Sequence, residues 1–426
     1  MSEPLRVTLL ALNAPGYQSL ALGYLRAFAQ QDRRLAGRVA FATLDLTSDA
    51  DAWWVAYRII EMNPDVLGAS VLCWNARTVY EVCRIVKLAL PEVRIVLGGP
   101  EVGPIADEVL RAHPAVDAVV RGEGEEAFAD VLDLARRGKP IGRADGVTGR
   151  GADGQPVVSP DRPLIADLDR IPSPYLAGVL KPNEGTAYVE TYRGCPHRCA
   201  YCFEGKGYAR VRSFGRERVE AEIAYLANEC GVTAFSFIDS VFNLTSERLA
   251  WLSGVLAPFA ERGLRLHTIE VDIERIDDEA ATQLARAGVL SVETGPQSIG
   301  SRALDACHRS FDRGRFTAGV EALKRQGISV ECDLIAGLPG DTAADFLDGV
   351  RFVLGIDPGK LQTSTLHVLP GTELYRRLAG EGRLSGDASG DNVEATTNIV
   401  PTMSQQTLYE GYRSVLRHLY APEHYY

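Results

Sequence analysis

Short runs of apolar, largely β-branched residues recur along the N-terminal part of the chain: Val7 to Leu12, Val39 to Leu44, Val66 to Leu72, Val93 to Leu97 and Val116 to Val120. These runs are too continuous for a half-buried strand, so each reads as a strand covered on both faces, and the stretches between them carry helical spacing. This alternation predicts a parallel sheet with helices on both sides, a doubly wound Rossmann-like α/β domain over residues 1–140. The Asp153-Gly154 turn predicts a hairpin. The aperiodic stretch from Pro160 to Pro182, with its five prolines, reads as a linker, so residues 141–183 separate two domains. A second series follows, with strands near Ala187 to Tyr192, Ala234 to Ile238, Leu266 to Val271, Leu290 to Thr294, Ile328 to Ile335 and Leu361 to Leu369. Six strand–helix units are too few for an eight-stranded barrel and predict an open, partial (β/α)6 TIM barrel over residues 184–379. The tail, 380–426, is less regular; within it Gln405 to Tyr420 places Leu408, Tyr412, Val415 and Leu416 on one helical face.

In both architectures ligands bind beyond the carboxyl ends of the strands. In the first domain those ends turn glycine-rich and polar: Asn13-Ala14-Pro15-Gly16, Ser70 to Asn75, Gly98-Gly99-Pro100-Glu101 and Gly122-Glu123-Gly124-Glu125. Any one of these glycines serves equally to close a turn before a helix. All four loops on one edge of a sheet favour a ligand.

Composition narrows the partners. The chain of 426 residues carries a net charge of −11 and no cluster of Lys and Arg, which argues against nucleic acid or an anionic membrane as a partner and favours a small-molecule or peptide substrate. Met1-Ser2-Glu3-Pro4 leads straight into a short apolar strand and no apolar run reaches membrane-spanning length, so a cytoplasmic protein is expected. Of eight cysteines, Cys195, Cys199 and Cys202 are clustered, and Cys73, Cys83, Cys230, Cys307 and Cys332 stand singly in apolar or helical patterns. In a long chain of this kind clustered thiols point to metal or redox chemistry rather than to a disulfide framework.

The cluster lies in Tyr192-Arg193-Gly194-Cys195-Pro196-His197-Arg198-Cys199-Ala200-Tyr201-Cys202, directly after the first strand of the second domain. A cubane 4Fe-4S cluster needs four ligands, and three thiolates leave one iron open. Such an iron can chelate the amino and carboxylate groups of S-adenosylmethionine, and reduction then releases a 5′-deoxyadenosyl radical. A structural zinc site completed by His197 is the competing reading, although zinc sites more often show two separated ligand pairs.

The motif and its placement resemble the radical S-adenosylmethionine (radical SAM) superfamily, and the N-terminal domain resembles that of its cobalamin-binding subgroup, over nearly the whole chain. The resemblance implies that Cys195, Cys199 and Cys202 ligate the cluster and that Tyr201 packs near the adenine. It implies S-adenosylmethionine contacts at Asp239, Glu293, Gln297 and Gly337, with Ser298 beside Glu293; His367 in the sixth strand either reaches the site or serves equally as a core histidine. Where the superfamily often carries a Gly-Gly-Glu turn, this chain has Phe237-Ile238-Asp239-Ser240, and Asp239 there serves equally as a helix cap. The cobalamin contacts implied are Asn13, Ser70, Trp74, Asn75, Gly98, Gly99, Glu101, Gly122, Glu123 and Gly124. The family's Asp-x-His-x-x-Gly motif is absent and no histidine precedes His113, so a histidine lower ligand to cobalt is not expected and the Trp74 loop takes that face. Loss of cobalamin with retention of the domain as a scaffold is the alternative.

The resemblance implies a cobalamin-dependent radical methyltransferase, supplied with electrons by an external flavodoxin or ferredoxin type of donor. Radical rearrangement, ring contraction or oxidative cyclisation without methyl transfer would use the same features. Methylthio transfer needs a second set of three cysteines in the first domain, where only Cys73 and Cys83 lie.

Overall fold

The computed structural model of the chain describes residues 3–203, 210–386 and 396–420. They fall into two compact units, drawn from Met1–Asn183 with Phe214–Tyr225 and from Glu184–Ser213 with Leu226–Tyr426.

The first unit is built on a seven-stranded sheet of β1 (Leu5–Asn13), β2 (Val39–Thr47), β3 (Val66–Ser70), β4 (Arg94–Gly98), β5 (Ala118–Val120), β6 (Val147–Arg150) and β7 (Pro156–Val158), in the order β2-β1-β3-β4-β5-β6-β7. Its first five strands run parallel, and β6 and β7 form the antiparallel hairpin expected at Asp153-Gly154. Helices α1 (Leu20–Gln31), α2 (Ala52–Met62), α3 (Ala76–Ala89), α4 (Ala106–Ala112) and α5 (Gly124–Arg136) cover the sheet.

Strand β1 shows why the apolar runs do not alternate. Val7, Leu9 and Ala11 pack into one core with Leu22, Phe128 and Leu132, while Leu10 and Leu12 pack into the opposite core with Val55, Ile59 and Val82. Each fully buried leucine stabilises the fold by about 1.5–3 kcal/mol, so both faces hold the strand in register. β3 ends two residues before its apolar run does, because the Asn75 Oδ1 accepts the Leu72 N–H at 2.9 Å and turns the chain into α3.

The second unit carries the six expected parallel strands. They are β8 (Thr186–Val189), β11 (Ala234–Phe237), a strand in two pieces, β12 (Arg265–Leu266) and β13 (Ile269–Glu270), then β14 (Ser291–Gln297), β15 (Ser329–Ala336) and β16 (Lys360–Thr365). They pair in the order β8-β11-β12 and β13-β14-β15-β16. A two-residue antiparallel ribbon, β9 (Tyr192–Arg193) with β10 (Arg212–Ser213), flanks the cysteine loop. Helix α6 (Arg216–Asn228) belongs to the first unit as far as Tyr225, and helices α7 (Ser246–Ala260), α8 (Asp278–Arg286), α9 (Ser301–Ala306), α10 (Arg313–Arg325), α11 (Ala343–Ile356) and α12 (Glu373–Gly380) follow the strands of the second. The tail forms α13 (Gln405–Leu419), which buries Leu408, Tyr412 and Val415 as its spacing predicts. The doubly wound sheet, the partial barrel and the helical tail are therefore all present. Among the described residues no helix is long and apolar enough to cross a membrane.

Candidate active site

Cys195, Cys199 and Cys202 open onto one cavity of about 300 Å³ at the carboxyl ends of the barrel strands. Cys199 is buried, and the other two are half-buried. The loop that carries them is fixed at its centre: Ala200 N–H donates to the Cys307 carbonyl and Ala200 O accepts the Leu374 N–H, both at 2.9 Å. Ala200 itself packs into a core with Ala303, Cys307, Leu338 and Leu366. Cys307 belongs to that core, and burial pushes its thiol up to about 12.

The donor set fits a cluster better than a single ion. Among the described residues no three His, Cys, Asp or Glu side chains gather as they would around one metal ion, whereas three thiols stand round a shared cavity. The imidazole that would complete a zinc site, His197, has its Nε2 3.5 Å from Asp272 Oδ2.

Tyr201, Glu293 and Gln297 line the same cavity. The sheet register slips between Thr294 and Gln297, and Gln297 has φ +61, a left-handed conformation that costs a non-glycine residue about 1–3 kcal/mol. Gly295 is needed within this bulge, because a Cβ there would stand 2.4 Å from the Asp333 carbonyl oxygen. Glu293 shares its register with Glu270 and Glu331 on the neighbouring strands and hydrogen-bonds Asp333. Burial, and then the nearby Glu293, hold the Asp333 carboxyl well above the usual carboxylate range. Its Oδ1 is buried without a partner.

Two residues expected at the cavity stand elsewhere. Asp239 has a fully buried side chain whose carboxylate is occupied by Thr191, Tyr192 and Arg248, so it has no lone pair to offer a ligand in the cavity. Gly337, with φ +95, turns the chain at the end of β15 and faces Leu408 of α13, which would lie 3.3 Å from a Cβ at that position. Ser298 is buried and donates to Asp341 Oδ1 at 2.8 Å. His367 is absent from the cavity lining, and its Nε2 lies 3.5 Å from Asn398 Nδ2. Conversely, the sequence pattern missed Arg309. This guanidinium donates from Nη1 to the Tyr201 hydroxyl at 2.8 Å and toward Cys199 Sγ at 3.7 Å, and from Nη2 to the Gly295 carbonyl at 2.8 Å.

In the first unit the strand order reverses between β1 and β3, so a crevice forms beyond their carboxyl ends at Asn13 and Ser70. The structure divides the candidates there. Asn75 is buried and ties the end of β1 to the next loop, donating from Nδ2 to Leu12 O at 2.9 Å. Asn13 donates to Asp45, Glu123 accepts the Ile165 N–H at 2.8 Å, and a Cβ on Gly124 would stand 2.9 Å from Leu25. These four are engaged with protein. Gly99, at φ +122, brings the β4 loop against the β3 loop, since a Cβ would lie 2.3 Å from Val71 O. Trp74 is 44% exposed at the loop tip, and Gly122 turns at φ +71 with open space beside it.

Residues 19–132 match the family profile of the B12 binding domain, and residues 189–353 match that of the Radical SAM superfamily. The chain belongs to the radical SAM superfamily and carries a B12-binding domain. Residues 372–426 of this radical SAM protein match a further family, a domain of unknown function, DUF4070. It is 30% identical over 388 residues to the cobalamin-dependent radical SAM methyltransferase TokK of Streptomyces tokunonensis, covering 87% of this chain and 56% of that one. It is 25% identical over 387 residues to the anaerobic magnesium-protoporphyrin IX monomethyl ester cyclase of Rubrivivax gelatinosus, covering 85% of this chain and 66% of that one. The chain thus spans little more than half the length of the first of these relatives. Its fold resembles that of the radical S-adenosylmethionine methyltransferase TsrM from Kitasatospora setae, whose structure holds cobalamin and a [4Fe-4S] cluster. The TM-score is 0.71 at 18% identity, over 89% of this chain and 75% of TsrM.

Within the B12-binding domain Glu101 is the carboxyl least satisfied by protein. Its Oε2 is buried without a partner, and burial pushes its pKa up to about 7. A carboxyl raised in the folded state stabilises the fold fully below its unfolded value, and that stability is lost as pH rises through the folded one. Glu101→Gln is therefore expected to gain stability over the cofactor-free parent at pH 8 but not at pH 4, by on the order of 3 kcal/mol at most, read as the shift in urea midpoint at each pH.

Proposed function

We propose that this radical SAM protein is a cobalamin-dependent methyltransferase acting on an unactivated carbon of a small molecule or peptide. What carries the reading is the convergence of three thiols with Tyr201, Glu293, Gln297 and Arg309 on one cavity, in a chain that also holds a B12-binding domain. When bound, the cluster and S-adenosylmethionine supply a 5′-deoxyadenosyl radical, and cobalamin supplies a methyl group for the carbon from which hydrogen has been removed.

The chain's own residues would hold, orient and shield these groups. Cys195, Cys199 and Cys202 would hold three irons, leaving the fourth toward the cavity. Arg309, fixed by Tyr201 and Gly295, presents the guanidinium that suits a carboxylate beside the cluster. Glu293 is placed to accept hydrogen bonds from ribose hydroxyls, with the protonated Asp333 carboxyl as donor behind it, and Gln297 offers an amide on the same wall. In the first unit Gly98 and Gly122 would allow backbone approach to a corrin ring, and Ser70, Trp74 and Glu101 would stand on its rim. The electron comes from an external flavodoxin or ferredoxin type of donor.

The test uses S-adenosylmethionine labelled in its methyl group, with anaerobically reconstituted, reduced enzyme and cobalamin. Formation of 5′-deoxyadenosine together with label in the product supports methyl transfer. The likeness to the Rubrivivax cyclase favours one second reading, oxidative cyclisation, in which 5′-deoxyadenosine forms and the product stays unlabelled.

A further inference from the structure

The buried polar group that this chemistry leaves unused lies behind the cysteine loop. Asp239 follows β11 and Arg248 lies in α7, and their side chains are 0% and 10% exposed. Asp239 Oδ1 accepts the N–H groups of Thr191 at 2.8 Å and of Tyr192 at 3.4 Å. Asp239 Oδ2 accepts the Thr191 hydroxyl and Arg248 Nη2, the latter at 2.7 Å, and Arg248 Nη2 also reaches Thr191 Oγ1. The Arg248 guanidinium stacks 4.9 Å from the Tyr192 ring centre. The residues just after Asp239 complete the clamp. Tyr192 Oη donates to Val241 O at 2.9 Å and accepts the Val241 N–H at 2.7 Å, and Ser240 Oγ donates to Gly194 O at 2.9 Å.

A buried ion pair contributes little net stability, but every one of its bonds is directional, and breaking one partner strands the other charge away from water. Apart from the Asp239–Arg248 pair itself, these bonds end on Thr191, Tyr192 and Gly194, three of the four residues that precede Cys195. We infer that Asp239 and Arg248 are positioning residues that fix the backbone from Thr191 to Gly194 and thereby set where the Cys195 thiol stands, and that Asp239 makes no contact with S-adenosylmethionine. The inference rests on Cys195 being a cluster ligand. It deepens that reading by assigning geometry of the cluster, rather than affinity for S-adenosylmethionine, to the acidic residue after β11.

The experiment compares full-length wild type, Asp239→Asn, Thr191→Ala and Thr191→Ser after anaerobic reconstitution. Three quantities are read: iron and sulfide per chain with the rate of iron loss to a chelator, the electron paramagnetic resonance spectrum of the reduced cluster without S-adenosylmethionine, and equilibrium binding of S-adenosylmethionine to the loaded fraction. For Asp239→Asn we expect iron loss about tenfold faster or more, a changed cluster spectrum, and S-adenosylmethionine binding within about twofold of wild type. Thr191→Ala removes only the hydroxyl and keeps the ion pair, so it stays testable if Asp239→Asn does not fold. It is expected to shift iron loss in the same direction, and Thr191→Ser to restore it. Wild-type iron retention and spectrum in Asp239→Asn, with S-adenosylmethionine bound about tenfold more weakly, would make Asp239 a cofactor ligand and overturn the inference. Unchanged iron retention in Thr191→Ala also overturns it. A wild-type protein that takes up no iron and sulfide overturns the reading of the site itself.

Discussion

Cys199→Ser, reconstituted with iron and sulfide without oxygen, is expected to show no iron–sulfur absorbance and to form no 5′-deoxyadenosine from S-adenosylmethionine. Serine matches cysteine in size, so the buried position at the base of the loop keeps its packing, and the far-ultraviolet circular dichroism should match the wild type. What serine cannot supply is a thiolate, since a hydroxyl does not ionise near neutral pH and irons of a cubane are held by sulfur. With two thiols left, the cluster loses a corner, and the cysteine of the adjoining core does not replace it: Cys307 packs with Ala200, its thiol raised by burial. Retention of a four-iron cluster and of S-adenosylmethionine cleavage in this variant would remove Cys199 from the ligand set.

Arg309→Met should lower the rate of 5′-deoxyadenosine formation by about 100-fold while leaving the cluster loaded, because one well-placed donor to a developing or fixed negative charge is worth about that much in a site shielded from water. Methionine fills the aliphatic volume, so the loss is of the guanidinium and of its bonds to Tyr201 and the Gly295 carbonyl. Arg309→Lys should not restore the rate, since an ammonium cannot bridge Tyr201 on one prong and Gly295 on the other. Tyr201→Phe is the control: it removes one anchor of the guanidinium but keeps the ring, and should cost far less. Rates are read by chromatography of 5′-deoxyadenosine under excess reductant, and equal rates for Arg309→Met and wild type would exclude a role at the cofactor.

The fold was legible where burial on two faces forbids alternation, as in β1; where apolar and polar positions alternate, as in β15; and where three thiols within eight residues can only share one loop. Strand ends were less so. The Val66 to Leu72 run continues past β3 because Val71 and Leu72 remain apolar after the Asn75 side chain has already turned the chain. The ribbon of β9 and β10 is two residues wide and has no period to detect. At the site, residue type gave the chemistry but not the direction a side chain faces. Asp239 lies just past a strand end and Asn75 closes the loop before α3, both places where ligands bind, yet both point into protein. The one faint signal for Asp239 was Arg248, a charge set directly against the apolar run Leu249 to Leu256 of α7 and buried with it. Arg309 had none, because it enters the cavity just after His308, which has φ +54, and no spacing rule foretells that turn.

The contact between Gly99 and Val71 has a mechanical meaning. Two segments of main chain that touch with no side chain interposed have no compressible layer between them, so the loop bearing Trp74 and the loop bearing Glu101 cannot slide past one another. The two loops are seated on one another main chain to main chain, and the Val71 N–H donating to the Gly98 carbonyl at 2.8 Å pins the same seam.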